Sequence, residues 1–511
     1  MKTKIIFLIV VLLMVFSPDA EALVPKPKAK SRPKPNILFI LSDDHALEAI
    51  GAYNGRLSKY LPTPNIDRIA KEGMKFNDCF VISSICCPSR ATIMTGKTSQ
   101  EHGVKKVISG VIPGSDTKIP FSVMNLDCAK ENIGALVQRS GYHTGVIGKW
   151  HAGFDPALGF NQYMVFPSFG TYYAPAFVEN ADDGAYKWTY YGEDDFSSDV
   201  ITDYTINYLK DRNKDDKPFV FFVNYWAVHG EWDNHKRYDS LLVDVDLPMP
   251  DNFYDDYAGR NPSLETSWFH IGKEKVKGEL VKKKDKETLH DYDKERYGVN
   301  LSEKELLYAN YQSFVKKYLR CLKGMDDGIG RLLDYMEETG LDENTVIIYA
   351  SDQGFFVGEH GFNDKRWGYE EAIRMPLLVK WKDRIKEGSV NSNMVLNLDF
   401  AQTFLDILGI DQPKDMQGQS FKKQLLGVKG NTRDAFYYRY YGGCGIEPHY
   451  GIRTERYKLL YFETYDFWEL YNLENDSGEM HNIYNDPRYS EVVSELKAEL
   501  VELKEQNGDS E

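Results

Sequence analysis

The stretch Cys86-Cys87-Pro88-Ser89-Arg90-Ala91-Thr92-Ile93-Met94-Thr95-Gly96 is the segment around which the chain is organised. The sequence predicts a strand from Met74 to Ile82 before it, and Pro88 suits the first turn of a helix after it. Cys86 would then lie at a helix N-terminus, where backbone N–H groups and the helix dipole stabilise negative charge. The simplest alternative is a disulfide partner with a spare thiol. A zinc site is disfavoured, since paired Cys-x-x-Cys spacings are absent.

Composition indicates a large globular protein. The 511 residues exceed one ordinary domain, and 42% are hydrophobic, which is ample for a packed core. The mean hydropathy of -0.48 excludes a polytopic membrane protein. A net charge of -15 argues against nucleic-acid binding, so any site for an anionic substrate must be local.

The N-terminus has the pattern of a secretory signal. A short basic head is followed by an apolar run from Ile5 to Phe16 and an Ala-x-Ala end at Ala22. We predict a signal peptide over residues 1–22, a Pro/Lys-rich extended tether over 23–35, and no stable membrane span after cleavage. An uncleaved anchor is the open alternative. Cleavage would place the protein in the periplasm or outside the cell.

Polar groups follow several apolar runs that have the pattern of buried strands. Because the carboxyl ends of parallel strands meet at one edge of a sheet, these groups should lie together. Two adjacent carboxylates either cap a helix or bind a metal, and a Lys-x-His pair on an extended segment points to one side. The pairs are Asp43 and Asp44, Lys149 and His151, and Asp352 and Gln353; His229 follows a further strand at 219–224.

Strand–helix alternation predicts an α/β fold with a large, mostly parallel sheet flanked by helices over residues 36–430. Residues 431–511 have the pattern of a small antiparallel sheet with a terminal helix. Residues 231–300 form a charged insertion that we expect to be solvated for most of its length. About half of the tyrosines at 437, 438, 440 and 441 should pack the small sheet, and the others could face sugars.

The motifs together resemble type I, formylglycine-dependent sulfatases, with a polysaccharide sulfatase-like character. The matching segments are the Cys86 stretch, Gly148-Lys149-Trp150-His151, and Gly358-Glu359-His360-Gly361 with the later Lys365. The resemblance implies the alkaline-phosphatase-like sulfatase fold. Two positions depart from the family pattern. His229 lacks the flanking prolines, and Gln353 stands where many members have Asn or His.

The resemblance also implies the chemistry of the site. Cys86 would be converted to formylglycine by a formylglycine-generating or anaerobic maturation enzyme, and one hydroxyl of its hydrate would attack sulfur. The other hydroxyl would later collapse to the aldehyde and expel sulfate. The implied roles are metal ligands at Asp43, Asp44, Cys86, Asp352 and Gln353, sulfate contacts from Arg90, Lys149 and Lys365, a proton donor at His229 and a proton acceptor at His151.

The implied cofactor is one divalent cation. All-oxygen donors with three carboxylates select a hard cation, and the large number of converging protein ligands favours Ca²⁺ over Mg²⁺. The predicted function is that of an exported sulfatase acting on a sulfated carbohydrate, such as oligosaccharides from an algal glycan or a glycosaminoglycan. Two alternatives stay open at this point. One is a phosphoryl or phosphonate ester hydrolase of the same superfamily, and the other is an unmatured protein that binds sulfated glycan without hydrolysing it.

Overall fold

A computed structural model describes residues 33–108, 123–180, 186–212, 217–276, 279–282, 291–298, 300–430 and 432–510. The predicted signal peptide and most of the predicted tether lie outside these ranges. Among the helices that are described, none combines the length and apolarity that a membrane crossing requires.

The strands of the described residues form one large sheet and three smaller ones. The large sheet has ten strands in the order β13-β2-β12-β11-β1-β8-β4-β5-β6-β7. The strands are β1 (Asn36–Ser42), β2 (Met74–Phe76), β3 (Cys79–Phe80), β4 (His143–Lys149), β5 (Gln162–Phe166), β6 (Ala176–Asn180), β7 (Tyr186–Tyr190), β8 (Phe219–Asn224), β9 (Lys273–Val276), β10 (Glu279–Lys282), β11 (Thr345–Ser351), β12 (Leu377–Trp381), β13 (Ser389–Asn391), β14 (Val395–Leu396), β15 (Ala435–Tyr440), β16 (His449–Thr454), β17 (Tyr457–Phe462) and β18 (Phe467–Asn472).

The centre of the large sheet is parallel. β11, β1, β8, β4 and β5 run in the same direction, whereas β12 and β6 join them as antiparallel neighbours. The residues Ile37–Leu41 of β1 are completely buried, because helices cover both faces of the sheet. The predicted mostly parallel sheet is confirmed, and it aligns the carboxyl ends of β1, β11, β8 and β4.

Helices cover the two faces of the sheet as separate layers. Side chains alternate along β1, so Ile37, Phe39 and Leu41 pack with α2, α5 and α10, whereas Leu38 and Ile40 pack with α1, α6 and α8. The helices are α1 (Pro64–Lys71), α2 (Cys86–Thr95), α3 (Ser99–His102), α4 (Leu126–Lys130), α5 (Ile133–Arg139), α6 (Ser197–Arg212), α7 (Asp291–Tyr297), α8 (Glu303–Glu338), α9 (Glu370–Ile373), α10 (Phe400–Leu408), α11 (Lys422–Leu425) and α12 (Ser490–Gln506).

The strands β15 to β18 form a small antiparallel sheet. Leu496 and Leu500 of α12 pack on one face of it, and Tyr438 and Tyr440 join the main core from the other face. Tyr437 is buried under α12. The small sheet and terminal helix are therefore confirmed, but more of its tyrosines are buried than expected. The domain boundary at residue 430 stays a prediction.

Two local expectations were wrong. The segment from Met74 to Ile82 is two short strands, because Asn77 and Asp78 interrupt it and β3 pairs with β14 instead of continuing into the large sheet. The insertion is not solvated over its described first part. Phe253, Leu264 and Ile271 are buried in the two main cores, since this segment packs against the rest of the chain.

Candidate active site

Two pairs of polar residues meet where β1 and β11 end. Ser42 of β1 lies opposite Ser351 of β11, so the residues that follow each strand emerge side by side. The backbone N–H of Asp44 donates to Asp352 Oδ1 at 3.3 Å. Asp43, Asp44, Asp352 and Gln353 are all fully buried or within 1% of it. The structure thus brings together four of the five residues predicted as metal ligands.

Each of the three carboxylates has one cationic partner. Lys149, the last residue of β4, pairs with Asp43. Lys365 Nζ lies 2.5 Å from Asp44 Oδ2, and Arg90 Nε lies 2.7 Å from Asp352 Oδ2. We call these six residues the site charge cluster. With all six groups ionised, their three negative and three positive charges would cancel.

Several buried atoms at this position have no hydrogen-bond partner among the residues that the structure describes. They include Asp43 Oδ1 and Gln353 Oε1, while Gln353 Nε2 donates to Asp44 Oδ1 at 2.5 Å. A buried oxygen without a partner costs stability, about 1–3 kcal/mol for such a group. Carboxylate and amide oxygens are also the ligands that hard divalent cations prefer. The donor set therefore fits a divalent cation, and the side-chain amide of Gln353 reaches Asp44 despite its extra methylene.

His229 lies among the possible ligands. Its Nε2 is 3.9 Å from Asp44 Oδ2, and ligand atoms of Asp43, Asp44 and His229 all lie within 4.8 Å of one another. Burial, together with the nearby Lys149 and Lys365, holds the pKa of His229 well below its usual value. The sequence predicted this residue as a proton donor, and the structure places it next to the carboxylates.

The pKa values of the three carboxyl groups diverge. Burial raises the pKa of Asp44 to about 7 despite the adjacent Lys365. Burial acts to raise the pKa of Asp43 as well, but the nearby Lys149, His229 and Arg90 outweigh burial and lower this pKa to about 2. Burial and the charge of Asp43 hold the pKa of Asp352 well above its usual range. Further positive charge would allow all three groups to ionise together.

Cys86 is the first residue of α2, and its thiol faces this cluster. A hydrogen bond from Cys87 lowers the pKa of the Cys86 thiol well below its usual value, with further contributions from Lys149 and His151 that outweigh burial. Ligand atoms of Cys86, Cys87 and His151 lie within 4.8 Å of one another. His151 Nε2 lies 2.7 Å from the carbonyl oxygen of Ile108, and its Nδ1 has no partner.

Arg90 makes hydrogen bonds to protein groups that the sequence did not predict. Its Nε donates to Asp352, and its Nη1 donates to the carbonyl of Lys149 at 3.0 Å. Arg90 Nη2 has no partner in the described part of the chain, so this nitrogen is left for a substrate oxygen. Lys149 and Lys365 contact Asp43 and Asp44.

Two aromatic side chains lie beside the site residues, and the sequence patterns did not predict them. Lys149 Nζ lies 4.9 Å from the ring centroid of Trp226, which is 4.3 Å from the ring of His229. The Phe169 ring lies 5.3 Å from His151 and 6.0 Å from His229, and 48% of Phe169 is exposed. Trp226 follows the end of β8, and this position, like that of the other residues after strand ends, could have predicted its place at the site. No local pattern marks Phe169.

Comparisons with known proteins agree with this geometry. The sulfatase family profile matches residues 35–410, and a second profile, the C-terminal part of N-sulphoglucosamine sulphohydrolase, matches residues 358–506. The chain is 35% identical over 524 aligned positions to an N-acetylglucosamine-6-O-sulfatase of Bacteroides thetaiotaomicron, covering 95% of this chain and 89% of that protein. It is 26% identical to the N-acetylglucosamine-6-sulfatase of Capra hircus, covering 94% and 85%.

A solved structure supports the same relationship. It is described as a complex with the substrate D-glucosamine-2-N,6-O-disulfate, and it superposes with a TM-score of 0.81 at 34% identity. The match covers 94% of this chain and 99% of the solved one. This chain belongs to the sulfatase family and is a sulfuric ester hydrolase. The predicted family and fold are confirmed.

Proposed function

We propose that this sulfatase removes the 6-O-sulfate of a glucosamine residue from a sulfated glycosaminoglycan or its oligosaccharides. The observation that carries the proposal is the 35% identity, over nearly the whole chain, to an N-acetylglucosamine-6-O-sulfatase. The similarity to a complex with a 6-O-sulfated glucosamine supports the same substrate class. These similarities narrow the expected sulfated carbohydrate to a 6-O-sulfated glucosamine. Neither of these relatives supports an algal glycan as the substrate.

The nucleophile would be formylglycine at position 86, produced by a separate maturation enzyme. When present, this group supplies an aldehyde hydrate that attacks sulfur and afterwards provides the means to release sulfate. The structure supports the role of the residues around it. Lys149 and His151 adjoin Cys86, and His151 has a free Nδ1 that can accept a proton from a hydroxyl at this position.

Asp43, Asp44, Asp352 and Gln353 would hold one divalent cation, with the group at residue 86 as a further ligand. Calcium is proposed because four buried oxygen-donor side chains converge there. When bound, the ion polarises the sulfate and lowers the pKa of the nucleophile. A dication would allow all three carboxyl groups to ionise, and the six ionised groups together with the dication would carry the net positive charge that an anionic sulfate ester requires.

The remaining residues of the chain bind and orient the ester. Lys149, Lys365 and Nη2 of Arg90 would contact sulfate oxygens, which gives charge-assisted hydrogen bonds in a site that excludes water. His229 would donate a proton to the leaving sugar oxygen, a role that requires the negative charge of the bound ester to raise the depressed pKa of this histidine. Phe169 would cover one apolar face of the sugar, because its ring is exposed beside both histidines.

Export is proposed from the N-terminal sequence. Residues 1–22 have the three parts of a signal peptide, and a periplasmic or secreted enzyme encounters glycosaminoglycans directly. Mass spectrometry of the N-terminal peptide from the periplasmic and medium fractions tests this. A mature chain beginning at Leu23 is expected, and an intact Met1 in the cytoplasmic fraction would contradict export.

A substrate panel tests the proposed activity. Sulfate release is measured from N-acetylglucosamine 6-sulfate, N-acetylgalactosamine 6-sulfate, glucosamine 3-O-sulfate and an aryl sulfate, using protein produced with a maturation enzyme. We expect the highest kcat/KM on the 6-sulfated glucosamine derivative, because sugar contacts should stabilise the transition state. A higher kcat/KM on the aryl sulfate would contradict the carbohydrate assignment. A higher kcat/KM on the galactosamine ester would contradict the sugar.

A further inference from the structure

A second cavity lies apart from the site charge cluster, where the insertion meets the start of α8. It has a volume of about 550 Å³. We call it the tyrosine cavity, since its lining includes Tyr254, Tyr297 and Tyr308 together with Arg296 and Lys304. None of these five residues belongs to the proposed catalytic machinery. The volume suits a monosaccharide or disaccharide unit rather than a single ion.

The tyrosines present aromatic faces in a fixed arrangement. The rings of Tyr297 and Tyr308 contact each other edge to face, with centroids 5.8 Å apart. Tyr254 is 49% exposed and packs edge-on against Phe253, at 4.9 Å between centroids. Sugar rings carry apolar C–H faces and hydroxyl groups, and tyrosine offers both an apolar ring and a polar tip. The cavity therefore has the chemistry of a carbohydrate-binding surface.

The lining contains two cations, Arg296 and Lys304, and one carboxylate, Glu305, and one of the cations is available to an anionic sugar. Lys304 Nζ lies 5.2 Å from the ring centroid of Tyr254. Arg296 is already paired with Asp246, at 3.0 Å, whereas Glu305 accepts from Ser302 in the capping box of α8. The Lys304 ammonium is thus the cation available to a sulfate or carboxylate group. Such a cation matters more in a chain whose net charge is -15.

The tyrosine cavity adjoins a larger cavity whose lining includes neighbours of the active-site residues. Met249 lines this cavity and also a larger one of about 670 Å³, whose lining includes Ala46 and Phe355. Ala46 follows Asp44 by two residues, and the Phe355 ring lies 5.8 Å from Lys365 Nζ. The lining of the larger cavity has six carboxylates and two arginines, an excess of negative charge that disfavours a sulfate there: Glu48, Asp251, Glu359, Glu370, Glu371 and Asp476, with Arg56 and Arg374. Anionic groups of a longer ligand would therefore be held in the tyrosine cavity.

We propose that the tyrosine cavity binds a second, anionic sugar unit of the glycan chain, remote from the ester being hydrolysed. The proposal rests on the proposed function in that it takes a sulfated glycan as the substrate. It goes beyond that function by assigning a subsite that a monosaccharide cannot reach. The subsite would raise the affinity for oligosaccharides without changing the chemical step.

The double variant Tyr254→Ala/Lys304→Ala tests the subsite, and Lys59→Ala/Tyr60→Ala is its matched control. Both pairs are exposed and remove the same two side-chain types. KM and kcat are measured on a 6-O-sulfated heparan hexasaccharide and on N-acetylglucosamine 6-sulfate. We expect KM for the hexasaccharide to rise about tenfold, equivalent to about 1.4 kcal/mol, in the first variant only. The monosaccharide kinetics should be unchanged in both.

Two results would overturn the proposal: an unchanged KM for the hexasaccharide, or equal losses on hexasaccharide and monosaccharide. Affinity electrophoresis in gels containing heparin separates this test from that of the proposed function. If the wild type releases no sulfate, the proposed function fails, yet weaker retardation of the Tyr254→Ala/Lys304→Ala variant would still support the subsite. Equal retardation of wild type and variant would overturn it.

Discussion

Two buried clusters of charged side chains in this protein have similar residue types. They differ in whether their buried polar atoms are paired with one another. The C-terminal charge cluster consists of Glu370, Arg453, Lys458 and Glu479. Lys458 Nζ lies 2.9 Å from Glu370 and 2.8 Å from Glu479, and Arg453 lies 3.2 Å from Glu370. Lys458 and Glu479 are almost completely buried, as are the members of the site charge cluster.

The difference lies in what each cluster leaves unsatisfied. Every carboxylate of the C-terminal charge cluster has a cation within 3.2 Å. Lys458 and Arg453 overcome burial and lower the pKa of Glu370 to about 2, whereas burial raises the pKa of Glu479 to about 7. The two buried atoms of this cluster that make no hydrogen bond to the described residues, Lys458 Nζ and Glu479 Oε1, face each other as an ion pair at 2.8 Å. At the site charge cluster, Asp43 Oδ1 and Gln353 Oε1 are buried without a partner, and burial raises the pKa of Asp44 to about 7. A closed cluster fixes one element on another. A cluster that leaves buried oxygens without partners can bind a ligand.

The largest expected effect separates chemistry from packing. Cys86→Ala should lower sulfatase kcat/KM by about 10⁴-fold or more, because it removes the proposed nucleophile. The melting temperature should stay within about 2 °C of the wild type, as expected for a small change in free energy of unfolding. Cys444→Ala, at an exposed cysteine, is the control and should retain activity. Sulfate release by the Cys86→Ala variant at the wild-type rate would contradict the proposed mechanism.

Removal of divalent cations should affect the site charge cluster alone. Exhaustive treatment with a calcium chelator is expected to stop turnover and to lower the melting temperature. A ligand present at 100 times its Kd stabilises the folded state by about 2.7 kcal/mol. Calorimetry and sulfate release before and after chelation measure both effects, and re-addition of Ca²⁺ should restore them. Unchanged activity and melting after chelation would contradict the assignment of a metal.

Removing one lysine from each cluster makes the comparison direct. Lys458→Met should cost about 3–5 kcal/mol in free energy of unfolding, because it leaves buried carboxylates unpaired. The kcat/KM of its folded fraction should be unchanged. Lys149→Met should also destabilise the fold, because it leaves buried Asp43 unpaired, but in addition it should lower the kcat of the folded fraction by about 10²–10³-fold through the loss of a sulfate contact. Denaturant unfolding gives the free energy of unfolding of both variants, and steady-state kinetics give their kcat. Equal losses of kcat in the folded fractions of the two variants would show that the clusters do not differ in function.

The smallest expected effect concerns the sugar. Phe169→Ala should raise KM for N-acetylglucosamine 6-sulfate about tenfold, or about 1.4 kcal/mol, while leaving the kinetics on a small aryl sulfate nearly unchanged. Phe169→Trp should restore the lower KM, since it also supplies an aromatic face. Tyr190→Ala, at a 59% exposed tyrosine, is the control. An equal loss on both substrates would indicate that Phe169 supports the histidines instead.

Sequence patterns were sufficient for the elements that are determined locally. The apolar runs at 36–41 and 219–224 gave β1 and β8 almost to the residue, and the polar residues after β1 and β11 meet as predicted. Ser302 begins the long helix α8 with the capping box that its sequence contains. These features depend on periodicity and on residues close in sequence.

The rest depends on packing between distant segments. Lys365 and Asp44 are 321 residues apart, and only the family resemblance connected them. Phe169 lies beside two histidines through the course of the chain after β5, which no local pattern encodes. Lys458 reaches Glu370 because the small sheet packs on the segment around α9. The site charge cluster and the C-terminal charge cluster therefore have similar residue types in sequence and differ only in three dimensions.

The most direct test combines the mass of the peptide that contains residue 86 with the specific activity of the same preparation. Protein is produced with graded amounts of a maturation enzyme, and sulfate release from N-acetylglucosamine 6-sulfate is measured for each sample. We predict that specific activity rises in proportion to the fraction of formylglycine at position 86 and is zero without it. Full activity in a sample whose residue 86 is unmodified cysteine would contradict the account.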